Sequence, residues 1–233
     1  MISEIIKRLN SELPATVRLV AVSKFHPFEA IQEAYEAGQR IFAESRPQEL
    51  LSKVKRLEEI RAERGEPDYM SDIEWHFIGH LQTNKLKMVL PYASLIQSVD
   101  SVRLLEAIDS WGKANEKVIN VLLEPHVAAE ESKQGFSRAE ILDVMRAASE
   151  CIYPNICFRG LMGMATFTDD EQVVKADFAA VRNIYEESRS LYPAFASAFT
   201  ELSIGMSDDY PIAIEYGSTM VRIGSMIFGE RSY

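Results

Sequence analysis

Short apolar runs recur along the chain, separated by segments of helical period. Eight runs predict strands: VRLVAVS (17–23), RIFAE (40–44), WHFIG (75–79), SLIQSV (94–99), VINVLLE (118–124), ICFRGLMGM (156–164), ELSIGM (201–206) and MVRIGS (220–225). Several are continuously apolar rather than alternating, as parallel strands covered on both faces require. Between them, Phe28, Ile31, Ala34 and Tyr35 share one helical face, and Gly38 follows as a stop signal. Leu50, Val54 and Leu57 repeat the pattern, with Lys53, Lys55, Glu58 and Glu59 assigned to a solvated face. Ser137 with Glu140, and Thr168 with Glu171, have the spacing of capping boxes.

About eight strands alternating with helices predict an α/β fold, a single (β/α)8 TIM-type barrel over residues 1–233 with an N-terminal helix over 1–12. The alternative is a doubly wound open sheet, which more often has five to seven strands. Its dinucleotide form lacks the main cue, since no G-x-G-x-x-G follows the first run.

Charge narrows the partners. The chain has 25 basic and 35 acidic residues, a net charge of -10 and a pI near 5.0. Such a balance argues against general nucleic-acid or anionic-membrane binding, both of which need basic surface. No apolar run approaches the roughly 20 residues that span a bilayer. The opening MISEIIKRLN lacks a signal-peptide core. Two cysteines, Cys151 and Cys157, make neither a disulfide framework nor a four-thiolate metal site and are expected as packed or partly buried thiols. The expected setting is the reducing cytoplasm.

In a barrel of this kind, function sits where strands end and the following loops begin. Lys24 ends the first run, and Pro27 stops that strand from continuing. Its amine in the barrel mouth would attack a carbonyl only when neutral, and at an ordinary pKa roughly one in 2,500 is neutral at pH 7. A solvated strand-end lysine fits the same spacing. At the other end of the chain, Ser207 follows the seventh run, while Gly224 and Ser225 close the eighth. Loops after strands 7 and 8 commonly bind phosphate, because backbone N–H groups and hydroxyls supply local donors. Ordinary turn chemistry also explains these three. Arg222 interrupts an apolar run, so its guanidinium needs a buried carboxylate or a ligand. His76 and His80 stand four apart without an H-E-x-x-H pattern, and His26 carries no separate signal. Met162, Met164, Met206, Met220 and Met226 are expected as core filler. No G-x-S-x-G or Walker pattern supports a hydrolase or NTPase.

Three stretches exceed generic barrel features: AVSKFHPFEAIQEAYEAGQRIFAES (21–45), WHFIGHLQTNK (75–85) and SIGMSDDYPIAIEYGSTMVRIGSMIFGERSY (203–233). Together with SVDS (98–101), ESKQGF (131–136) and RGLMGM (159–164), they closely resemble the YggS/PROSC family of pyridoxal 5'-phosphate (PLP) homeostasis proteins. The resemblance implies a PLP-binding barrel like the N-terminal domain of alanine racemase, with PLP as a Schiff base on Lys24. It implies phosphate binding by Ser207, Gly224 and Ser225, and Arg222 facing the pyridine nitrogen. Ser45 is implied as a cofactor neighbour in place of the family's asparagine, because Ala43-Glu44-Ser45 replaces the usual Gly-Glu-Asn. Pro125-His126 replaces a valine-asparagine pair, and ATFTDD (165–170) replaces an apolar proline stretch.

PLP stabilises carbanions best with a protonated ring nitrogen, and a guanidinium there leaves the nitrogen neutral. Alanine racemases take a second base from an additional β domain, whereas this chain stops at Tyr233. The expected function is therefore PLP holding and release, with PLP-dependent apoenzymes as candidate recipients and the molecule a monomer or homodimer. The rival is a PLP-dependent amino-acid racemase or related enzyme. A barrel binding another phosphorylated metabolite is the third possibility.

Overall fold

The computed structural model describes residues 1–127 and 135–229. The predicted strands form as β1 (Arg18–Val22), β2 (Ile41–Glu44), β3 (Glu74–Phe77), β4 (Ala93–Val99), β5 (Ile119–Leu123), β6 (Ile156–Met162), β7 (Glu201–Ser203) and β8 (Met220–Ile223). Each pairs in parallel with the next, and β8 returns to β1, closing the barrel. The helices are α1 (Ile2–Glu12), α2 (Phe28–Glu36), α3 (Pro47–Arg64), α4 (Leu86–Val89), α5 (Val102–Ala114), α6 (Arg138–Ser149), α7 (Glu171–Leu191), α8 (Tyr210–Glu215) and α9 (Ser225–Phe228). The open-sheet alternative is excluded by the closed order of strands.

Closure divides the core in two. Leu19, Ala21, Phe42, Phe77, Ile96 and Leu161 point outward and pack against the helices. Val20, Val22, Ile41, Ala43, Leu122 and Met162 belong to a separate interior cluster. The register keeps the two sets apart: Val20 pairs with Arg222, and Val22 with Ala43. Period-two alternation thus carries the interior file of β1 from Val20 through Val22 toward Lys24.

The interior also holds polar groups in series. The Ser203 hydroxyl donates to Gln97 Oε1 at 2.7 Å, and Gln97 Nε2 donates to His76 Nδ1 at 2.8 Å. An imidazole nitrogen that accepts a hydrogen bond is unprotonated, so His76 is neutral here. Burial pushes its pKa down to about 3, with Arg18 adding to the effect.

Several local expectations change. The box at Ser137–Glu140 is present with both reciprocal bonds. At α7, Asp170 is the cap, accepting from Gln172 N–H at 2.9 Å, and Thr168 Oγ1 accepts from Asp170 N–H at 3.1 Å. The short Asp side chain two residues after Thr168 takes the capping place that the Thr168–Glu171 spacing suggested. Lys53, assigned to solvent because it is charged, is 6% exposed, while Lys55, Glu58 and Glu59 are exposed. Its position between Leu50, Val54 and Leu57 puts it on the inner face of α3. Cys151 is exposed in a turn with φ +59°, rather than packed, and Cys157 is half-buried. Residues 131–134 of the ESKQGF match and 230–233 of the terminal match lie outside the described residues. No helix of the described residues is long and apolar enough to cross a membrane.

Gly160 in β6 has φ +150°, and a Cβ there would lie 1.7 Å from the Glu201 carbonyl oxygen. Gly160→Ala should therefore separate β6 from β7 and lower Tm by roughly 5–10 °C in a thermal melt. For His76, the unfolded chain binds a proton below its ordinary pKa of 6.5, but the folded chain does not until about pH 3. Its contribution to stability is thus lost as pH falls through that window, by about 2 kcal/mol between pH 6.5 and pH 5. His76→Gln should flatten the urea-unfolding free energy against pH over this range, relative to the unsubstituted protein.

Candidate functional site

The strand-end residues converge on one cavity of about 320 Å³ at the C-terminal mouth of the barrel. Lys24, Arg222, Ser207, Gly224 and Ser225 all line it. Ile78, Met162 and Met164 supply apolar wall, and Phe167 stands at the rim, 92% exposed. Met162, Met164 and Met206 were expected as filler, yet they face the cavity. A thioether is apolar and adaptable enough to pack against a flat ring.

Lys24 enters the cavity because β1 ends at Val22 and its interior file continues one step further. Ser207, from the turn after β7, and Ser225, from the turn after β8, meet, the Ser225 hydroxyl donating to Ser207 Oγ at 3.1 Å. The turn before α8 is pinned by Met206 N–H donating to Asp209 Oδ1 at 2.5 Å and Tyr210 N–H donating to the Met206 carbonyl at 2.9 Å. Ser225 opens α9, so its N–H has no intrahelical acceptor. The two hydroxyls, one on the pinned turn, and the Ser225 amide form a compact donor set for an oxyanion.

Arg222 lies deeper and is 4% exposed. Its Nη1 donates to the Ser203 carbonyl and hydroxyl, each at 2.7 Å, and Nη2 to the Gly163 carbonyl at 2.9 Å. Of the two expected partners, a buried carboxylate or a ligand, no carboxylate is hydrogen-bonded to it among the described residues; neutral acceptors hold the guanidinium in one orientation. Burial pulls its pKa down to about 10, with Glu124 opposing, so it stays cationic at neutral pH.

Ser45 does not line the cavity. β2 ends one residue earlier, and the loop after β3 crosses so closely that a Cβ on Gly79 would lie 2.0 Å from the Ser45 carbonyl oxygen. His26 does line the cavity, its ring stacked on Phe228 with centroids 5.2 Å apart. His76 is buried in the barrel, and His80 pairs through Nδ1 with Asp100 at 2.8 Å, so the two do not form a metal site. Among the described residues no cluster suits a metal ion.

Two groups escaped sequence reasoning. Glu124, just past β5, is pushed up to about 7 by burial and Asp100, with Arg222 and His80 opposing. A carboxylate ending an otherwise apolar run was the available signal. Lys53 is the other; its three-residue spacing from Leu50 carried the signal.

The site suits PLP chemically. An amine faces an apolar chamber, hydroxyl and amide donors gather at one end, and a fixed guanidinium stands at the floor. The chain matches the family described as alanine racemase, N-terminal domain, over residues 2–232. It is 39% identical to the human pyridoxal phosphate homeostasis protein, over all of this chain and 83% of that one. PipY of Synechococcus elongatus PCC7942, solved with PLP bound, superposes with a TM-score of 0.87 at 34% identity, covering 98% of this chain and all of that one. Alanine racemase from Corynebacterium glutamicum shares the fold alone, at 13% identity and a TM-score of 0.70 over 98% of this chain and 60% of that one. A closed barrel with these residues at its mouth, matched nearly end to end, places the chain in the pyridoxal phosphate homeostasis protein family, on the fold of the alanine racemase N-terminal domain.

Proposed function

We propose that this chain binds PLP covalently through Lys24 and serves PLP homeostasis by holding and releasing it. The observation that carries this is the gathering of Lys24, the Ser207–Ser225 pair and Arg222 around one cavity of about 320 Å³. When bound, PLP supplies an aldehyde carbon that exchanges between amines. Lys24 is the internal amine; Ser207, Ser225 and Gly224 hold the phosphate; Arg222 presents a donor to the ring nitrogen. A guanidinium cannot accept the nitrogen's proton and gives none up at neutral pH, so the ring remains a weak electron sink. Racemases of this fold tolerate a neutral ring nitrogen, so the weak sink does not separate the two readings; the carrier is favoured because kinship with alanine racemase is at the level of fold alone. Ser45 would join the site only by moving toward the mouth.

PLP-dependent apoenzymes in the cytoplasm are the proposed recipients. Met164, Phe167 and Met206 leave apolar surface around the opening, across which an incoming amine would reach the bound aldehyde. Neutral donors suit an acidic protein, since they attract a phosphate locally without requiring a basic face.

Borohydride reduction of PLP-loaded protein, followed by peptide mapping, should place the label on Lys24. Lys24→Ala should abolish the visible imine band and leave the melting profile intact; a retained band would remove Lys24 as the anchor. Ser207→Ala should raise the PLP dissociation constant by roughly 5- to 150-fold, the cost of one charge-assisted hydrogen bond. An unchanged constant would count against the phosphate role. In deuterated water, single amino-acid enantiomers should pass through the loaded protein without deuterium at Cα; turnover with incorporation would establish the racemase instead.

A further inference from the structure

The turn that carries Lys24 is fixed from behind by a buried charged cluster. His26 N–H donates to the Ser23 carbonyl at 3.1 Å, making Lys24 and Phe25 the central residues of a tight turn. Phe25 has φ +69°, a left-handed conformation that an aromatic residue rarely adopts. It is held by α3 and the residue before that helix. Phe25 N–H donates to Glu49 Oε1 at 2.6 Å, and the Arg46 guanidinium lies 4.4 Å from the centre of the Phe25 ring.

Lys53 completes the arrangement. Its ammonium donates to the Ser23 carbonyl at 2.8 Å, to Glu44 Oε1 at 2.7 Å and to Glu49 Oε1 at 2.8 Å. Three donors meet three acceptors, so the group is saturated and is no rival nucleophile to Lys24. Glu44 Oε1 also accepts from the Ser23 hydroxyl at 2.6 Å, whereas its buried Oε2 has no hydrogen-bond partner. Burying an ammonium and a carboxylate costs more desolvation than apolar packing would at the same place. Helix-to-strand packing alone accounts neither for that cost nor for the bond to the Phe25 amide.

We propose that Lys53, Glu44 and Glu49 are positioning residues that lock the Ser23–His26 turn and thereby aim the Lys24 amine into the cavity. The inference rests on Lys24 being the PLP anchor. The Ser23 carbonyl and the Phe25 amide belong to the peptide units on either side of Lys24, and each is tied to α3. With both fixed, the Cα–Cβ direction of Lys24 is set, and its flexible stem starts from a defined origin. A misaimed amine would still share the chamber with PLP but would reach the aldehyde in a smaller fraction of encounters.

The test separates capture from binding. Growth of the imine band after mixing with PLP measures covalent capture, and the affinity for pyridoxine 5'-phosphate, which lacks the aldehyde, measures the chamber and phosphate site. Glu49→Ala leaves the Lys53–Glu44 pair in place. It should slow capture about tenfold or more while leaving pyridoxine 5'-phosphate affinity within about twofold. Glu49→Gln, whose amide oxygen still accepts from Phe25 N–H, should recover most of the rate. The double variant Lys53→Met with Glu44→Gln, which removes both charges of the fully buried pair and leaves Glu49 its bond to the Phe25 amide, should also slow capture. Capture at the unsubstituted rate in Glu49→Ala, or an equal loss of capture and of pyridoxine 5'-phosphate affinity, would overturn the positioning role. Borohydride mapping of the unsubstituted protein distinguishes the levels: a label away from Lys24 overturns the anchor as well, while a label on Lys24 with unaltered variant rates overturns the positioning role alone.

Discussion

Closing eight parallel strands into a ring forces every second residue inward, and the site depends on that constraint. Val20, Val22 and then Lys24 follow one file of β1; Met220, Arg222 and then Gly224 follow one file of β8. A slip of one residue between these strands would turn the arginine out among the helices and empty the floor of the cavity. The glycine at 160 belongs to the same geometry, since the β6–β7 spacing leaves no room for a side chain there. Packing in the barrel and placement of reactive groups at its mouth are therefore consequences of a single registration.

Much of this was legible in the sequence. Continuously apolar runs gave all eight strands, because parallel strands buried on both faces cannot afford the alternation of half-exposed ones. Lys24, Ser207, Gly224 and Ser225 were readable as strand-end residues, and Arg222 as an interruption of an apolar run. The partners of Arg222 were not. Backbone carbonyls carry no sequence signature, so Gly163 and the Ser203 backbone could not be anticipated as acceptors. The charge of Lys53 points to solvent, whereas its spacing points inward, since residues 50, 53, 54 and 57 form one helical face. Ser45 keeps the interior parity of β2 one residue past its end, and Lys24 likewise keeps that of β1, but the loop after β3 crosses against the Ser45 carbonyl and Ser45 does not line the cavity.

The electrostatics of the site rest on local structure rather than on net charge. With an excess of ten acidic residues, the molecule repels anions at long range, and salt screens that repulsion beyond roughly 10 Å. At contact distance, hydroxyls, an amide and a carbonyl-clamped guanidinium dominate. Two carboxyls set back from that acidic surface, Glu44 and Glu124, are raised to about 7 by burial. Each lies close to a cation that opposes the shift, Lys53 for the first and Arg222 for the second.

The cavity straddles the β1–β8 seam, which joins the strands farthest apart along the chain. Zipping that seam carries the largest loop-closure cost and comes late in assembly unless something rewards it. With Lys24 as the proposed anchor on one side of the seam and Arg222, Gly224 and Ser225 as the proposed grip on the other, a ligand favours the closed ring, and mass action makes it a clasp. Vitamin supply would then govern how often the ring breathes open as well as how full it is.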